Sequence, residues 1–287
     1  MAKQITIISG KGGTGKTTFS AGLAYLANGK AVLADADVDA PDLHLLLNPD
    51  KKSEEELKIS KKVTRIEDKC TKCGICEDAC RYGAITTEAI NYFKCEGCGL
   101  CTHICPENAL ELEEIFSAKL FNSNTRFGPF VHVEMAIGEG TSGRIVSAVR
   151  KQAQKIADEQ SLDYIIVDGS PGIGCPVIAS ITGVDLTVII VEPTLSGIHD
   201  LERVIGITNH FNVKPTVCIN KYDINIENSD EIISYCEENN IQLIGKIPFN
   251  DIVPKSIVQN KTIFEVKENV VAEEIRNIWN NIQKILS

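Results

Sequence analysis

Eight of the eleven cysteines fall between Cys70 and Cys105, in two runs of identical spacing. Cys70, Cys73, Cys76 and Cys80 are separated by two, two and three residues; Cys95, Cys98, Cys101 and Cys105 repeat the pattern, with Pro106 behind the last. Three closely spaced thiolates can wrap three corners of an iron–sulfur cube. Gly74, Gly97 and Gly99 permit the tight turns whose backbone N–H groups donate to sulfur. Structural zinc also uses paired Cys-x-x-Cys motifs, but a four-cysteine zinc site needs no third closely spaced cysteine. A second constellation lies near the N-terminus. Gly10, Lys11, Gly12, Gly13, Thr14, Gly15, Lys16 and Thr17 fit G-x-x-x-x-G-K-S/T. In that pattern backbone amides turn inward around phosphate oxygens, Lys16 faces the β- and γ-phosphates, and the Thr17 hydroxyl meets Mg²⁺. Thr18, next along, completes the set expected at a bound nucleotide.

These residues need elements to hold them. Gln4 to Ser9 is a β-branched run ending at the glycine-rich turn, and Thr17 to Leu26 carries Phe19, Leu23 and Leu26 at helical spacing. Ala31 to Ala34 is a second buried strand opening into Asp35, Asp37 and Asp39. Tyr164 to Val167, Leu186 to Val191, Thr216 to Ile219 and Leu243 to Ile247 read as further strands buried on both faces. Gly143 to Glu159, Ser196 to Phe211 and Asp230 to Asn239 read as the helices between them. The expected fold is therefore α/β, with a mostly parallel, helix-covered sheet. Lys51 to Lys69 breaks the rhythm with charge, and Glu113 to Gly140 reads as a return path with some β character. The simplest division is 1–60 and 113–287 as one nucleotide-binding domain, interrupted by a cysteine-bearing insert at 61–112.

Composition limits what such a chain does. Hydrophobic residues make up 43% and charged residues 24%, as in ordinary globular proteins. Net charge is −10, which repels phosphate backbones and argues against nucleic acid as a partner. No apolar run is long enough for a membrane span, and the first residues lack a signal-peptide pattern. A cytoplasmic, reducing location is expected, where clustered cysteines hold metal and not disulfides.

Lys11 occupies a position that the ordinary phosphate-loop pattern leaves free. With it the loop resembles the deviant Walker A family: MinD and ParA ATPases, Mrp-type cluster carriers and the nitrogenase iron protein. That resemblance implies ATP hydrolysis with Mg²⁺ and nucleotide-dependent dimerisation, as a homodimer or with a related ATPase. Lys11 would then reach the nucleotide across the interface, like an arginine finger. It places Asp37 at the first switch, orienting the attacking water or the Mg²⁺ shell. Asp168, closing the run YIIV before Gly169, Ser170, Pro171 and Gly172, takes the Walker B position in the Mg²⁺ shell. Relatives often show two prolines where this chain has Ser170 and Pro171. Asn220, with Lys221, matches where relatives contact adenine.

The cysteine runs resemble bacterial two-cluster ferredoxins, in which the fourth cysteine of each run ligates the other run's cluster. The resemblance implies one 4Fe–4S cluster on Cys70, Cys73, Cys76 and Cys105, and a second on Cys95, Cys98, Cys101 and Cys80. Arg81 stands where proline usually follows Cys80. Taken together, the chain resembles MinD superfamily ATPases with an inserted ferredoxin domain, small and α+β. Three functions follow from that likeness. The first is an ATP-gated electron-transfer protein serving a redox client, and the second an assembly or carrier protein serving a metallocluster client. The third is a positioning ATPase, which leaves the cysteines unexplained.

Two further features bear on these alternatives. Cys175 lies seven residues after Asp168, the offset of a bridging-cluster cysteine in the nitrogenase iron protein, but a small buried thiol is the expected reading. Val271, Ile275, Ile278, Trp279, Ile282 and Ile285 form an apolar stripe. The opposite face carries Glu273, Glu274, Arg276 and Lys284, so packing against the sheet is expected, not membrane attachment.

Overall fold

The computed structural model describes residues 2–140 and 143–287. Two compact units are present: one comprises Met1–Glu54, Leu120–Glu134 and Thr141–Ser287, the other Glu55–Lys119 and Met135–Gly140.

In chain order the elements are β1 (Lys3–Ser9), α1 (Lys16–Ala27), β2 (Ala31–Ala36), α2 (Leu43–Leu47), β3 (Asp50–Leu57), β4 (Ser60–Arg65), α3 (Ile75–Ala79), α4 (Leu100–Ile104), β5 (Leu110–Ile115), β6 (Ala118–Thr125) and β7 (Gly128–Met135). Then follow α5 (Gly143–Gln160), β8 (Tyr164–Pro171), α6 (Cys175–Ile181), β9 (Leu186–Val191), α7 (Leu195–His210), β10 (Pro215–Asn220), α8 (Ile226–Glu238), β11 (Gln242–Ile247), α9 (Ile252–Val258) and α10 (Val270–Leu286).

The first unit is built on a sheet of order β11-β10-β9-β1-β8-β2-β7-β6-β3. The pairs from β11 to β7 are parallel. Strands β2 and β9 are buried at every position, as strands of a parallel sheet covered on both faces must be. On one face Phe19 and Leu23 of α1 and Ile275, Ile278 and Trp279 of α10 pack on Ile5, Ile7 and Val188. On the other, Val177 and Ile181 of α6 and Leu201 and Val204 of α7 pack on Ile8, Ile189 and Val191. Each fully buried side chain of this size contributes about 1.5–3 kcal/mol. The apolar stripe of α10 thus lies in the core, with its charged residues outward. No helix among the described residues is long and apolar enough to cross a membrane.

The charge-rich stretch after Asp50 forms strands, against its reading as a break. Asp50–Leu57 (DKKSEEEL) is the outermost strand of the sheet and is exposed at all but its last residue. Lysine and glutamate there present charge along an open edge, which discourages pairing with another chain. The return path holds two strands: β6 and β7 are sheet neighbours joined only by Arg126 and Phe127. That length closes only an antiparallel hairpin.

His132 of β7 is 4% exposed, with its ring 4.7 Å from that of Phe130 and 5.1 Å from that of Phe121. Burial, with Lys51 and His44 nearby, pushes its pKa down to about 4, while Glu134 opposes. The unfolded chain therefore binds more protons between about pH 6.5 and 4. Stability from this residue is intact above pH 6.5 and drains as pH falls through 4, by up to about 3 kcal/mol. Denaturant midpoints measured from pH 7.5 to 4.5 are expected to fall less steeply in His132→Leu than in the wild type. Parallel slopes would contradict this.

The second unit contains the two-stranded antiparallel ribbon β4–β5, registered from Ser60↔Ile115 to Arg65↔Leu110. Its cysteine region is a structural repeat of 25 residues. Helix α3 maps onto α4, and left-handed backbone recurs at Lys72 and Gly97, Gly74 and Gly99, and Gly83 and Asn108. Val63 and Leu110 from the ribbon join Ala84 and Ile85 in a small core, against which Cys76, Cys80, Cys101 and Cys105 pack.

Candidate functional site

In the first unit, strand order decides what meets the glycine-rich loop. Strand β1 lies between β8 and β9, so the loop after Ser9 is flanked by the ends of those strands, carrying Asp168 and Glu192. Ligands of open α/β sheets bind at such carboxyl ends. Gly15 has φ +93, a conformation that favours glycine, and an added Cβ there would meet Asn220 Nδ2 at 2.5 Å. Lys16, 5% exposed, opens α1, whose first turn holds no acidic residue and whose N-terminus favours an anion. The Thr14 hydroxyl is buried without a hydrogen-bond partner among the described residues, and the Cβ positions of Gly12 and Gly13 face open space. These features fit a phosphate chain.

Three carboxylates converge behind Lys16. Asp35 and Asp168 are register partners on β2 and β8, both buried. Burial pushes both carboxyls up; repulsion from Asp168 adds to this at Asp35, and repulsion from Asp42 at Asp168, where Thr17, Lys16 and Ser20 oppose it. Asp168 accepts hydrogen bonds from the Ser20 hydroxyl at 2.9 Å and from Thr17. Burial raises Asp37 to about 6 against the attraction of Lys16. A cluster of this kind, short of positive charge, suits Mg²⁺, with Thr17 supplying a hydroxyl. Asp35 also accepts from the backbone N–H groups of Asp37 and Leu43, at 3.2 Å each, and so shapes the loop that carries Asp37.

Lys11 is turned onto its own chain. Its Nζ donates to Thr194 Oγ1 at 3.1 Å and lies 3.3 Å from the Glu192 carboxylate, which also pairs with Lys221. Asn220 donates to the Thr14 carbonyl at 2.7 Å and accepts from the Lys221 N–H, so its amide braces the phosphate loop. A cleft of about 290 Å³ opens beside it, lined by Thr18, Asn220, Pro248, Phe249, Asn250 and Ile257 among others. Sequence reasoning missed the residues after Ile247 and the pair Glu192–Lys11. The signal for the first was Pro248-Phe249-Asn250 following a parallel strand. For the second there was none, because the two residues are distant in the chain.

In the second unit, Cys70, Cys73, Cys76 and Cys105 line one small cavity, which brings the last cysteine of the second run to the first three of the first. Backbone N–H groups donate to sulfur at equivalent places in the two halves, Ala84 to Cys80 and Ala109 to Cys105, both at 3.3 Å; Gly97 also donates to Cys95, at 3.4 Å. Burial raises the thiols of Cys76 and Cys101. At Cys80 burial is outweighed by the N–H groups of Ala84, Tyr82, Ile85 and Gly83, which lower it towards the thiolate. Gly97 is pressed onto β4, where a Cβ would lie 2.0 Å from the Lys61 carbonyl.

Among the described residues no three His, Cys, Asp or Glu side chains gather around one metal-ion position. A single zinc would hold its thiolates about 3.8 Å apart, whereas a cube carries them on four separate irons. The inward N–H groups and shared cavity therefore suit the larger group.

Cys175 is exposed, not buried as its size suggested, because it opens α6 directly after the Gly172–Gly174 turn. Cys218 and Cys236 are buried, and burial raises both thiols, that of Cys236 to about 11.

The model of the CobQ/CobB/MinD/ParA nucleotide binding domain matches residues 5–263, and the chain belongs to that family. Uncharacterized protein MJ0578 of Methanocaldococcus jannaschii is 36% identical over 285 residues, covering 99% of this chain and 97% of that one. A second protein of that organism, MJ0579, is 26% identical over 286 residues, 96% of this chain and 97% of the other. Among solved structures, the cell division protein MinD of Aquifex aeolicus superposes with TM-score 0.59 at 19% identity, over 99% of this chain and 98% of that one. The septum site-determining protein MinD of Pyrococcus horikoshii, complexed with Mg-ADP, gives 0.63 at 16% identity, over 100% and 98%. The expected α/β fold with a largely parallel sheet is the fold of these proteins.

Proposed function

We propose that this chain is an ATP-hydrolysing switch carrying two 4Fe–4S clusters, in which nucleotide-dependent pairing of two subunits is coupled to electron transfer to a partner protein. The observation that carries the reading is the 25-residue repeat in the second unit, with its inward N–H groups and the cavity shared by Cys70, Cys73, Cys76 and Cys105. The same chain holds a complete phosphate loop. The repeat supports a ferredoxin-like insert at 61–112, and the clusters would supply one-electron carriers.

In the nucleotide unit, the loop amides and Lys16 hold the phosphates of ATP. Thr17, Asp37 and Asp168 would hold Mg²⁺, which supplies charge neutralisation at those phosphates. Asp37 orients the attacking water, and Lys11 leaves Glu192 to reach the nucleotide of a second subunit. The cleft along Asn220 and Phe249 takes the base, with an aromatic ring and an amide within reach of it. A cytoplasmic location suits oxygen-sensitive clusters.

A positioning ATPase is the second reading, favoured by the likeness to MinD structures, one of which is a MinC:MinD complex. A metallocluster carrier is the third. Anaerobic purification with iron and acid-labile sulfide analysis separates them. About eight irons and eight sulfides per chain, with EPR signals of the reduced clusters that change on adding Mg-ATP, are expected. Absence of iron would leave the positioning reading; clusters indifferent to nucleotide but passed to an apo-acceptor would favour the carrier.

A further inference from the structure

The second unit holds a buried ion pair beside its small apolar core. Lys62 of β4 is 9% exposed, and its Nζ lies 3.4 Å from the Glu139 carboxylate, whose side chain is 7% exposed. The same Nζ donates to the carbonyl of Cys95 at 2.9 Å. Cys95 is the most buried of the eight clustered cysteines, and the Cys95–Gly97 turn is the one seated against β4, at Lys61. The fixed positive charge therefore touches the backbone of a thiolate expected to hold the second cluster, in a place where water screens little.

Its counter-charge comes from elsewhere in the chain. Glu139 belongs to Met135–Gly140, the path from β7 to α5, which is tied to the unit by the Ala136 N–H on the Ser117 carbonyl at 2.9 Å. Replacing a buried pair by apolar residues is often neutral or stabilising, so stability alone is a weak reason for this one. A charge beside a cluster has a definite effect: reduction adds an electron, which a nearby cation favours and a nearby anion opposes.

We propose that Lys62 and Glu139 are positioning residues that set the reduction potential of the second cluster, Lys62 holding it up and Glu139 limiting the rise. The pair acts on the cluster held by Cys95, Cys98, Cys101 and Cys80. Arg65 serves a separate neighbourhood: it lines the cavity of Cys70, Cys73, Cys76 and Cys105 and donates to the carbonyls of Thr86 and Thr87. The proposal rests on the two-cluster reading given above.

The test is an EPR-monitored redox titration of the full chain with dithionite, in the wild type, Lys62→Met, Glu139→Gln and the double variant. Lys62→Met is expected to make the second cluster harder to reduce by about tenfold in equilibrium constant, which is about 59 mV for one electron. Glu139→Gln is expected to shift it the opposite way by a similar factor. The double variant should lie between, and the first cluster should stay near its wild-type value. A purely structural pair would shift both single variants alike or lower iron content without moving potentials. Either result, or no shift in Glu139→Gln, overturns the proposal. If Lys62→Met fails to load iron, Lys62→Arg and Glu139→Gln still carry the test, with unchanged and raised potentials expected respectively. A wild type without iron would instead remove the cluster reading itself.

Discussion

Lys11→Ala is expected to lower ATP turnover by about 10³-fold or more, while single-subunit nucleotide affinity stays within a few-fold of the wild type. The structure separates the two lysines of the loop. Lys16 is buried at the start of α1, facing the place where the β- and γ-phosphates would lie, so Lys16→Ala should lose nucleotide binding itself. Lys11 is partly exposed, and its amine rests on Thr194 and Glu192 of its own chain. Releasing it breaks a half-screened ion pair worth about 1 kcal/mol or less. That small barrier is readily offset by contact with a phosphate. Nucleotide binding by fluorescence, turnover by phosphate release and association by light scattering read the three effects separately. Full turnover and pairing in Lys11→Ala would contradict the assigned role.

Replacing Cys105 with alanine is expected to remove one cluster and leave the other, so that iron falls from about eight to about four per chain. The informative comparison is between double variants. Cys105 shares a cavity with Cys70, Cys73 and Cys76, 25 or more residues earlier in the chain. Cys73→Ala combined with Cys105→Ala should therefore strike one cluster twice and keep about four irons. Cys73→Ala combined with Cys80→Ala should strike both clusters and keep almost none. Ligation within each run predicts the reverse order. Either double variant should also loosen the second unit, because Cys76, Cys80, Cys101 and Cys105 pack on its small core of Val63, Ala84, Ile85 and Leu110. Thermal unfolding of that unit, followed by cluster absorbance, would move with the iron count.

Much of the architecture was legible in the chain. Leu186–Val191 and Ala31–Ala36 are wholly buried strands; the first reads as such from its β-branched, uncharged run, the second from the apolar Ala31–Ala34 that precedes Asp35. Asp50–Leu57 was not legible, because an edge strand needs no apolar face and its charges resemble a solvated loop. The α6 and α9 helices, seven residues each, are too short to show a period. Cys175 was misread as buried because its size says nothing about its place at the exposed start of a helix.

The two chemical motifs are local, and local residues determined them. A phosphate loop needs glycines, a lysine and a threonine within one turn between strand and helix. A thiol cradle needs three cysteines at fixed short spacing with glycine beside them. Both are written in consecutive residues, so both were readable before any fold was known. What consecutive residues cannot encode is which distant groups stand opposite. The order β9-β1-β8-β2 set Glu192 against Lys11 and made neighbours of Asp35 and Asp168. The pairing of β4 with β5 and the return of Met135–Gly140 brought a buried lysine and its glutamate to the carbonyl of Cys95. Those contacts depend on strand order and long-range packing, and they decide how charge is distributed around motifs that the sequence had already named.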